Sequence, residues 1–313
     1  MQNPRPIRPT RRAILAGGLA APLLVTRAWG GTVQEAQILQ SRVLGHPVSY
    51  SLYLPPNYRQ DNRRYPVLYL LHGGGDGQPA DWFRMAGVDV LLDKMIAERR
   101  MPACIAVAPD GRRPADDPRA TYFLDDADGS YRWRTMFLEE FIPGIEARHQ
   151  AIGSWQMRAL LGLSMGGHAA LLNQLLRPDL FAGAAALSAA LRTPQQLATM
   201  EQTGFDLRFA GAFGEGLEGQ ARLNEPWRTN DPVEILSGID TTPFLRIPRL
   251  YLDLAAQDPF FEGNAAAHIA LDRAGVRHRF QVHEGEHDWM FWRAALPRAL
   301  EHISRIYTRS YGE

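Results

Sequence analysis

The stretch Arg158-Ala159-Leu160-Leu161-Gly162-Leu163-Ser164-Met165-Gly166 decides the fold. It begins as a short apolar run of the length of a buried strand, and a helical pattern then runs from Gly166 to Leu176. A serine between a strand and a helix, two residues from a glycine on either side, lies on a sharp turn that exposes its hydroxyl group. Side chains at the two glycine positions would collide with the neighbouring strand and helix. The pattern therefore predicts Ser164 as a nucleophile.

A second glycine-rich segment follows the predicted strand Val67–Leu71. It reads His72-Gly73-Gly74-Gly75, and its glycines would allow the backbone to approach a substrate oxygen closely. The helix that begins after the serine also directs free N–H groups toward negative charge at its N-terminus. We expect the N–H groups of Gly74 and Met165 to form an oxyanion hole. We expect His72 to orient the glycine loop and not to act as a base.

A serine hydroxyl is a weak nucleophile near neutral pH, so it requires a general base, and the base requires a carboxylate that orients it. Among the histidines that follow Ser164, His287 lies in a loop between a predicted strand and a predicted helix. We expect it to be the base, because the carboxyl ends of parallel strands share one edge of a sheet. Asp258 follows another predicted strand by a short loop, and we expect it to be the acid. Asp253, inside that strand, is the alternative acid.

A competing motif overlaps the predicted base. The segment His283-Glu284-Gly285-Glu286-His287 matches H-E-x-x-H, the signature of zinc proteases. That signature requires a helix, on which histidines four residues apart share one face. Residues 279–282 are strand-like, and a glycine separates the two histidines. We therefore predict a loop at this position and not a zinc site.

Short apolar runs alternate with longer segments of helical spacing through the chain. Strands are predicted at Gln37–Val43, Pro47–Leu54, Val67–Leu71, Cys104–Ala108, Arg158–Leu163, Gly183–Leu187, Leu250–Leu254 and His278–His283. Helices are predicted at Val88–Arg99, Arg134–His149, Gly166–Leu176, Asn264–Ala274 and Trp289–Tyr307. Uninterrupted apolar runs are typical of parallel strands that helices cover on both faces. Residues 31–313 are therefore predicted to form one α/β domain with a mostly parallel twisted sheet and an antiparallel N-terminal edge hairpin.

One segment breaks this alternation. Residues 191–245 are rich in glycine, proline and polar side chains. An insertion of that length in a compact domain is usually a lid or a substrate-binding segment. We expect that role here, with a tolerated surface excursion as the alternative.

Residues 1–30 have the order of an export signal. A stretch rich in arginine and proline ends at Arg12, an apolar stretch runs from Ala13 to Val25, and small residues surround Ala28. Thr10-Arg11-Arg12-Ala13-Ile14-Leu15 resembles the twin-arginine signal. We expect a bacterial protein that the twin-arginine export machinery delivers to the periplasm or outside the cell. An arginine-rich tail followed by a core helix is the alternative.

The composition excludes several other classes of protein. The 313 residues contain 34 Lys and Arg against 34 Asp and Glu, 45% hydrophobic residues and one cysteine. The apolar content excludes a disordered chain, and the single cysteine excludes a disulfide scaffold. No apolar run is long enough to predict a stable membrane span, and no basic block indicates a nucleic-acid partner.

Four segments together resemble the esterase D branch of the α/β-hydrolases, which includes S-formylglutathione hydrolases, feruloyl and acetylxylan esterases, and mycolyltransferases. They are Tyr69–Gly75, Gly162–His168, Ala255–Asn264 and Gly285–Trp292. The resemblance implies Ser164 as nucleophile, Asp258 as acid and His287 as base, in a hydrolase without a metal or a cofactor. The sequence departs from the family at residues 255–257, where a glycine is common before the acid, and residues 191–245 have no counterpart.

The resemblance and the export signal together predict an exported serine esterase that acts through an acyl-enzyme on feruloyl or acetyl esters of glycans. Its expected partner is a small-molecule or glycan ester. The alternatives are an acyltransferase of the mycolyltransferase type, a thioesterase of the S-formylglutathione hydrolase type, and a non-catalytic binding protein on the same scaffold. S-formylglutathione is a cytosolic thioester, so an exported location disfavours the thioesterase.

Overall fold

The structure is a computed structural model that describes residues 24–26, 30–58, 62–244 and 249–310. Within these residues one sheet contains β1 (Leu24–Thr26), β2 (Thr32–Gln40), β3 (Pro47–Leu54), β4 (Val67–Leu71), β5 (Ile105–Pro109), β6 (Arg158–Leu163), β7 (Gly183–Leu187), β8 (Leu250–Ala255) and β9 (His278–His283). Their order across the sheet is β1-β2-β3-β5-β4-β6-β7-β8-β9. The strands β4 to β9 are parallel, and β1, β2 and β3 extend the sheet antiparallel beyond β5. The predicted mostly parallel sheet is confirmed.

The helices follow the strands in the alternation that the sequence predicts. They are α1 (Asp81–Arg84), α2 (Val88–Ala97), α3 (Trp133–Met136), α4 (Ile142–Arg148), α5 (Met165–Leu176), α6 (Pro194–Ala198), α7 (Gln202–Arg208), α8 (Ala210–Phe213), α9 (Glu225–Arg228), α10 (Phe261–Arg273) and α11 (Trp289–Ser310). Single 3-10 turns lie at Trp155–Met157, Gly219–Arg222, Glu234–Ser237 and Thr242–Phe244. Within the described ranges, no helix combines the length and the apolar character needed to cross a bilayer.

Two hydrophobic cores lie on the two faces of the sheet. Along β4, the alternate residues Val67, Tyr69 and Leu71 belong to the core that contains α3, α4, α5 and α10. Leu68 and Leu70 point to the opposite face and belong to the core that contains α2 and α11. Both sets are fully or almost fully buried. Because both faces of this strand are buried, none of its side chains faces solvent. This explains why its sequence is uninterrupted by polar residues.

The first predicted strand, Gln37–Val43, was wrong in its bounds, since β2 begins at Thr32 and ends at Gln40. The chain leaves the sheet after Gln40 because the carboxylate of Glu140 binds it: the hydroxyl of Ser41 and the N–H groups of Arg42 and Val43 all donate to Glu140. Backbone N–H groups that donate to a side chain are not available for a strand ladder.

The predicted antiparallel hairpin of β2 and β3 is confirmed, and with the short strand β1 it forms the antiparallel edge region of the sheet. β1 pairs antiparallel with β2 outside it, through Leu24–Thr26 and residues 32–34. These three residues fall within the predicted export signal. The rest of that signal, residues 1–23 and 27–29, lies outside the described residues.

The predicted helix Arg134–His149 is interrupted. A π-helical turn, Phe137–Phe141, separates α3 from α4. Pro143 lies in the first turn of α4 and has no N–H to donate back to the residue four positions earlier. A missing donor at this point is a common cause of a locally widened helix.

The insertion of residues 191–245 is helical where it is described. It contains α6 to α9, and a buried arginine connects several of its turns. The guanidinium of Arg222 donates to the carbonyls of Leu197, Met200 and Leu217 at 2.6–3.1 Å. It also lies 4.4 Å from the centre of the Phe205 ring. One charged side chain thus donates to carbonyl groups of separate turns of the insertion.

A carboxylate of this insertion predicts a pH dependence of stability. Burial raises the pKa of Asp231 to about 6, against the opposing effect of hydrogen bonds from the N–H groups of Val233 and Glu234. The folded chain therefore binds more protons than the unfolded chain between about pH 4 and pH 6, so the free energy of unfolding falls as the pH rises through this interval. We expect Asp231→Asn to remove about 2 kcal/mol of this fall, because its amide oxygen still accepts both hydrogen bonds.

Urea unfolding of the wild type and the variant from pH 4 to pH 7 measures the difference. Asp240→Asn is the matched control, because Asp240 makes the same kind of turn with Thr242 but is exposed. Its unfolding curves should follow the wild type closely. Parallel pH curves for wild type and Asp231→Asn would contradict the assignment.

Candidate active site

Ser164 lies at the turn between β6 and α5, where the sequence predicts it. Its backbone has φ 52° and ψ −117°, a conformation that is costly for a residue with a side chain. Two hydrogen bonds stabilise it, one with the last residue of β7 and one with the chain that follows. The Ser164 N–H donates to the carbonyl of Leu187 at 2.9 Å, and the N–H of Ala190 donates to the carbonyl of Ser164 at 2.9 Å. The turn is therefore fixed by the neighbouring strand.

The two glycines of the turn are required by close packing. A Cβ atom at Gly162 would lie 2.0 Å from the carbonyl oxygen of Gly166. A Cβ atom at Gly166 would lie 2.0 Å from the carbonyl oxygen of Leu71, at the end of β4. Both contacts are with backbone atoms, which cannot move aside as a flexible side chain could. The collision that the sequence predicts is confirmed, and it presses the serine turn against the end of β4.

This contact predicts that Gly166→Ala destabilises the fold. We expect a loss of about 3 kcal/mol in the free energy of unfolding, because a methyl group would have to push the start of α5 away from the end of β4. Urea denaturation measures it. Gly238→Ala is the control, since a Cβ atom there has only one neighbour, the carbonyl oxygen of Ile235 at 3.8 Å. A Gly166→Ala variant as stable as the control would show that the close contact is not a real constraint.

The structure brings Ser164, His287 and Asp258 together. The Nε2 atom of His287 lies 3.0 Å from the Oγ atom of Ser164. Its Nδ1 atom lies 2.9 Å from the Oδ2 atom of Asp258. His287 lies in the loop between β9 and α11, and Asp258 lies in the loop between β8 and α10, so both are at the carboxyl edge of the sheet. This is the geometry of a nucleophile, a base and an orienting acid.

The ionisation state of Asp258 determines where the protons lie along the hydrogen bonds from Ser164 through His287 to Asp258. Burial by itself raises the pKa of Asp258, but hydrogen bonds from His287 and from the N–H of Phe260 outweigh it and lower the pKa below its ordinary value. Asp258 is therefore an ionised acceptor at neutral pH. A neutral His287 then carries its proton on Nδ1, and its Nε2 atom is free to accept the hydroxyl proton of Ser164.

The alternative acid, Asp253, has other partners. Its Oδ2 atom accepts hydrogen bonds from Tyr251 at 2.7 Å and from the guanidinium of Arg298 at 2.9–3.0 Å. Asp253 is fully buried within β8 and lies two residues before the strand ends at Ala255. The structure thus separates the two candidates: Asp258 contacts the imidazole of His287, and Asp253 belongs to a buried ion pair.

The glycine loop lies beside the serine turn. A Cβ atom at Gly74 would lie 3.7 Å from the Cβ atom of Met165, so the two residues are in contact. Among the described residues, the N–H groups of Gly74 and Met165 donate to no other group. His72 is turned away from the serine: its Nδ1 atom donates to the carbonyl of Gly73, and its Nε2 atom accepts the N–H of Gly111. His72 thus has the orienting position that the sequence predicts.

The H-E-x-x-H segment is not helical. β9 ends at His283, and Gly285 has φ 138° in the loop before α11. The two histidines therefore do not share a helix face, and the Nδ1 atom of His287 is occupied by Asp258. Within the described ranges, no three side chains of His, Cys, Asp or Glu are grouped in a way that could bind a metal ion.

A cleft of about 660 Å³ opens over Ser164 and His287. Other side chains that line it are Met85, Arg192, Arg208, Phe260, Trp289 and Trp292. The rings of Phe260 and Trp292 each lie 5.0 Å from the imidazole of His287 and meet it edge to face. A second cavity of about 630 Å³ shares Gly73–Gly75, Met165 and Arg208 with the cleft. The site is thus an extended groove with an apolar wall.

Sequence reasoning missed the lining residues, above all Arg192 and Arg208. Both belong to the insertion that was expected to form a lid or bind substrate, and they are the part of it that reaches the cleft. Nothing in their immediate sequence marks them, because a single arginine in a polar segment is ordinary. Their significance depends on contacts with distant residues, which only the folded chain shows.

The assignment of the acid can be tested by a paired substitution. Asp258→Asn should lower kcat for ester hydrolysis by about 10⁴-fold, because the amide favours the wrong tautomer of His287. Asp253→Asn should instead lower the thermal midpoint and leave kcat within a few-fold in the folded protein. Steady-state kinetics and thermal unfolding of both variants measure this. A large loss of kcat in Asp253→Asn and a small one in Asp258→Asn would reverse the assignment.

A parallel sheet with a serine on the turn after β6, and with a glycine loop after β4, defines a hydrolase of the α/β-hydrolase fold. The family model described as "Putative esterase" matches residues 41–303, which is most of the chain. The chain therefore belongs to this esterase family.

Several of the sequence relatives are named esterases. An esterase of Mycobacterium tuberculosis strain H37Rv is 28% identical over 263 residues, which cover 79% of this chain and 54% of the relative. The chain thus spans about half the length of that relative. An acetyl esterase of Caldicellulosiruptor saccharolyticus is 26% identical over 257 residues, covering 79% of this chain and 86% of the relative.

Solved structures agree with the fold. A ferulic acid esterase is 28% identical with a TM-score of 0.75, and the match covers 89% of this chain and 99% of that one. An S-formylglutathione hydrolase of Agrobacterium tumefaciens is 19% identical with a TM-score of 0.69, over 91% of this chain and 98% of that one. At 19% identity the second match shows the fold alone.

Proposed function

We propose that the chain hydrolyses carboxylic esters by a Ser164–His287–Asp258 triad, with the N–H groups of Gly74 and Met165 as the oxyanion hole. The observation that carries this proposal is the pair of hydrogen bonds of His287, at 3.0 Å to Ser164 and at 2.9 Å to Asp258. A serine with one base and one orienting acid is the arrangement that activates a hydroxyl group.

In the first half of the reaction, Ser164 attacks the ester carbonyl while its proton passes to Nε2 of His287. Asp258 accepts the hydrogen bond of Nδ1 and stabilises the positive imidazolium that forms. The N–H groups of Gly74 and Met165 stabilise the oxyanion, a contribution of about 3 kcal/mol per donor in comparable sites. The imidazolium then gives its proton to the departing alcohol, and the acyl group remains on Ser164.

In the second half, a water molecule loses a proton to His287 and attacks the acyl group. The tetrahedral intermediate collapses, the acid leaves, and the proton returns to Ser164. The same oxyanion donors serve both halves because the carbonyl oxygen stays in one place.

We propose feruloyl or acetyl esters of glycans as the substrates. Two observations support this choice: a ferulic acid esterase and an acetyl esterase are among the similar proteins, and the groove has an aromatic wall. Phe260, Trp289 and Trp292 could pack against a planar acyl group or the apolar face of a sugar ring. The adjoining cavity gives the groove room for a substrate with two sizeable parts.

We also propose that the enzyme is exported to the periplasm or secreted by the twin-arginine machinery. The support is the sequence Thr10–Leu15 with its two arginines, followed by a short apolar stretch. Glycan esters of this kind lie outside the bacterial cytoplasm, so the proposed location and the proposed substrates agree.

The experiment is a substrate panel assayed with the purified chain and with Ser164→Ala. Acetyl, butyryl and feruloyl p-nitrophenyl esters, methyl ferulate and S-formylglutathione are compared by kcat/KM. We expect turnover of acetyl and feruloyl esters, with Ser164→Ala slower by about 10⁵-fold or more, the magnitude of losing a serine nucleophile.

The panel also contains the outcomes that would contradict the proposal. Equal turnover by wild type and Ser164→Ala would remove Ser164 from the mechanism. Turnover of S-formylglutathione with no turnover of the oxygen esters would replace the proposed function by that of a thioesterase. Thermal unfolding of Ser164→Ala should match the wild type, which excludes misfolding as the cause of its inactivity.

A further inference from the structure

Arg192 is held in a defined orientation on the wall of the cleft. Its Nη1 atom donates to the hydroxyl of Tyr122 at 3.0 Å. Its guanidinium lies 4.6 Å from the centre of the Phe260 ring and 5.3 Å from that of Phe209. A guanidinium between two aromatic rings loses little further freedom when it binds a ligand. The side chain is therefore preorganised.

The charge of Arg192 is not paired with a carboxylate in the part of the chain that the structure describes. Asp231 lines a small cavity together with Arg192, but its carboxylate is bound by the N–H groups of Val233 and Glu234. Among the residues that the structure describes, the guanidinium uses one of its five N–H donors, in the bond to Tyr122. A half-buried cation with unused donors has the chemistry of a binding site for an anion.

The place of this charge relates it to the reacting ester. Phe260 connects the two: the guanidinium of Arg192 lies over its ring, and the ring meets the imidazole of His287 edge to face at 5.0 Å between ring centres. The chain reaches Arg192 only two residues after Ala190, whose N–H binds the carbonyl of Ser164. A group bound by Arg192 would therefore lie in the same cleft as an ester on Ser164.

The other charged groups of the cleft come from different segments. Asp76 and Asp81 lie on the glycine loop and α1, where Asp81 accepts the N–H of Gln78. Arg208, at the end of α7, has no ion pair with any described carboxylate and donates to the carbonyl of Gly204. Among the described residues of the insertion, the two that line the cleft are both cations, and the carboxylates of Asp76 and Asp81 lie on the glycine loop and on α1.

We infer that the enzyme selects esters that carry a carboxylate group, which Arg192 binds while the ester carbonyl lies at Ser164. This inference rests on the proposed hydrolase function and adds the class of substrate. The carboxylate belongs to the acyl part or to the alcohol part of the ester, as in a half-ester of a dicarboxylic acid or an ester of an acidic sugar. Both sources present the same planar group to the same guanidinium.

The test compares pairs of esters that differ only in a carboxylate or a carboxamide. The acyl-side pair is p-nitrophenyl hydrogen glutarate and the p-nitrophenyl ester of glutaramic acid. The alcohol-side pair is 4-acetoxybenzoate and 4-acetoxybenzamide. We expect wild type to prefer the carboxylate by about 10-fold or more in kcat/KM in one pair, the range for a hydrogen bond to a charged group. The pair that shows the preference identifies whether the carboxylate belongs to the acyl part or to the alcohol part of the ester.

Variants connect the preference to Arg192. Arg192→Gln should bring the ratio of the two kcat/KM values close to 1, and Arg192→Lys should keep an intermediate ratio because it keeps the charge without the planar fork. Arg228→Gln is the matched control: Arg228 is an exposed arginine of the same insertion and does not line the cleft. It should keep the wild-type ratio. Rates with Ser164→Ala are subtracted, because a carboxylate can hydrolyse its own ester.

The outcomes are separable. A ratio near 1 in both pairs for wild type overturns the inference while ester hydrolysis itself stands. A preference for the carboxylate that survives in Arg192→Gln also overturns it. Thermal unfolding of Arg192→Gln shows whether this variant is folded, and the ratio measured with Arg192→Lys gives a second, independent test. Failure of the proposed function would give a different result: wild type would hydrolyse no ester of either pair faster than Ser164→Ala does.

Discussion

The contact of Gly166 with the end of β4 is the constraint on which the site depends. It places the serine turn against the carbonyl of Leu71, so the loop that follows β4 must pass beside Ser164. Gly74 thereby contacts Met165, and these are the two residues whose N–H groups are the proposed oxyanion donors. A larger residue at position 166 would push the start of α5 away from the end of β4 and, with it, Met165 away from Gly74. The contacts that pack α5 against the end of β4 therefore also determine the geometry of the site.

Asp258 and His287, the proposed acid and base, are brought together by a second set of backbone contacts. β8 and β9 are in register, with Ala255 opposite His283 at their carboxyl ends. Beyond the strands, the N–H of Ala256 donates to His283 and the N–H of Gln257 donates to Gly285. The two loops are thus tied together immediately before Asp258 and His287. In the family that the chain resembles, a glycine is common before the residue that corresponds to Asp258. Residues 255–257 contain no glycine, and these hydrogen bonds define the loop instead.

The sequence was sufficient for the parts of the structure that short-range patterns decide. The apolar runs predicted the parallel strands, and the glycines around Ser164 predicted the turn, because sterics at a turn involve few residues. Their order placed Asp258 and His287 at one edge. Contacts between distant residues were not predictable: Glu140 ends β2 by binding Ser41, and Arg222 orders the insertion through carbonyls of other turns. A pattern of single residues contains no record of such partners.

The division between framework and insertion has a consequence for specificity. The strands and their turns position Ser164, His287 and the proposed oxyanion donors by backbone packing, which tolerates little change. The insertion reaches the cleft through Arg192 and Arg208. On the proposed function, substitutions at these two arginines would alter what the cleft binds without moving Ser164 or His287. The proposed reaction and the proposed selection of substrate then depend on separate contacts, and the ring of Phe260 touches both Arg192 and His287.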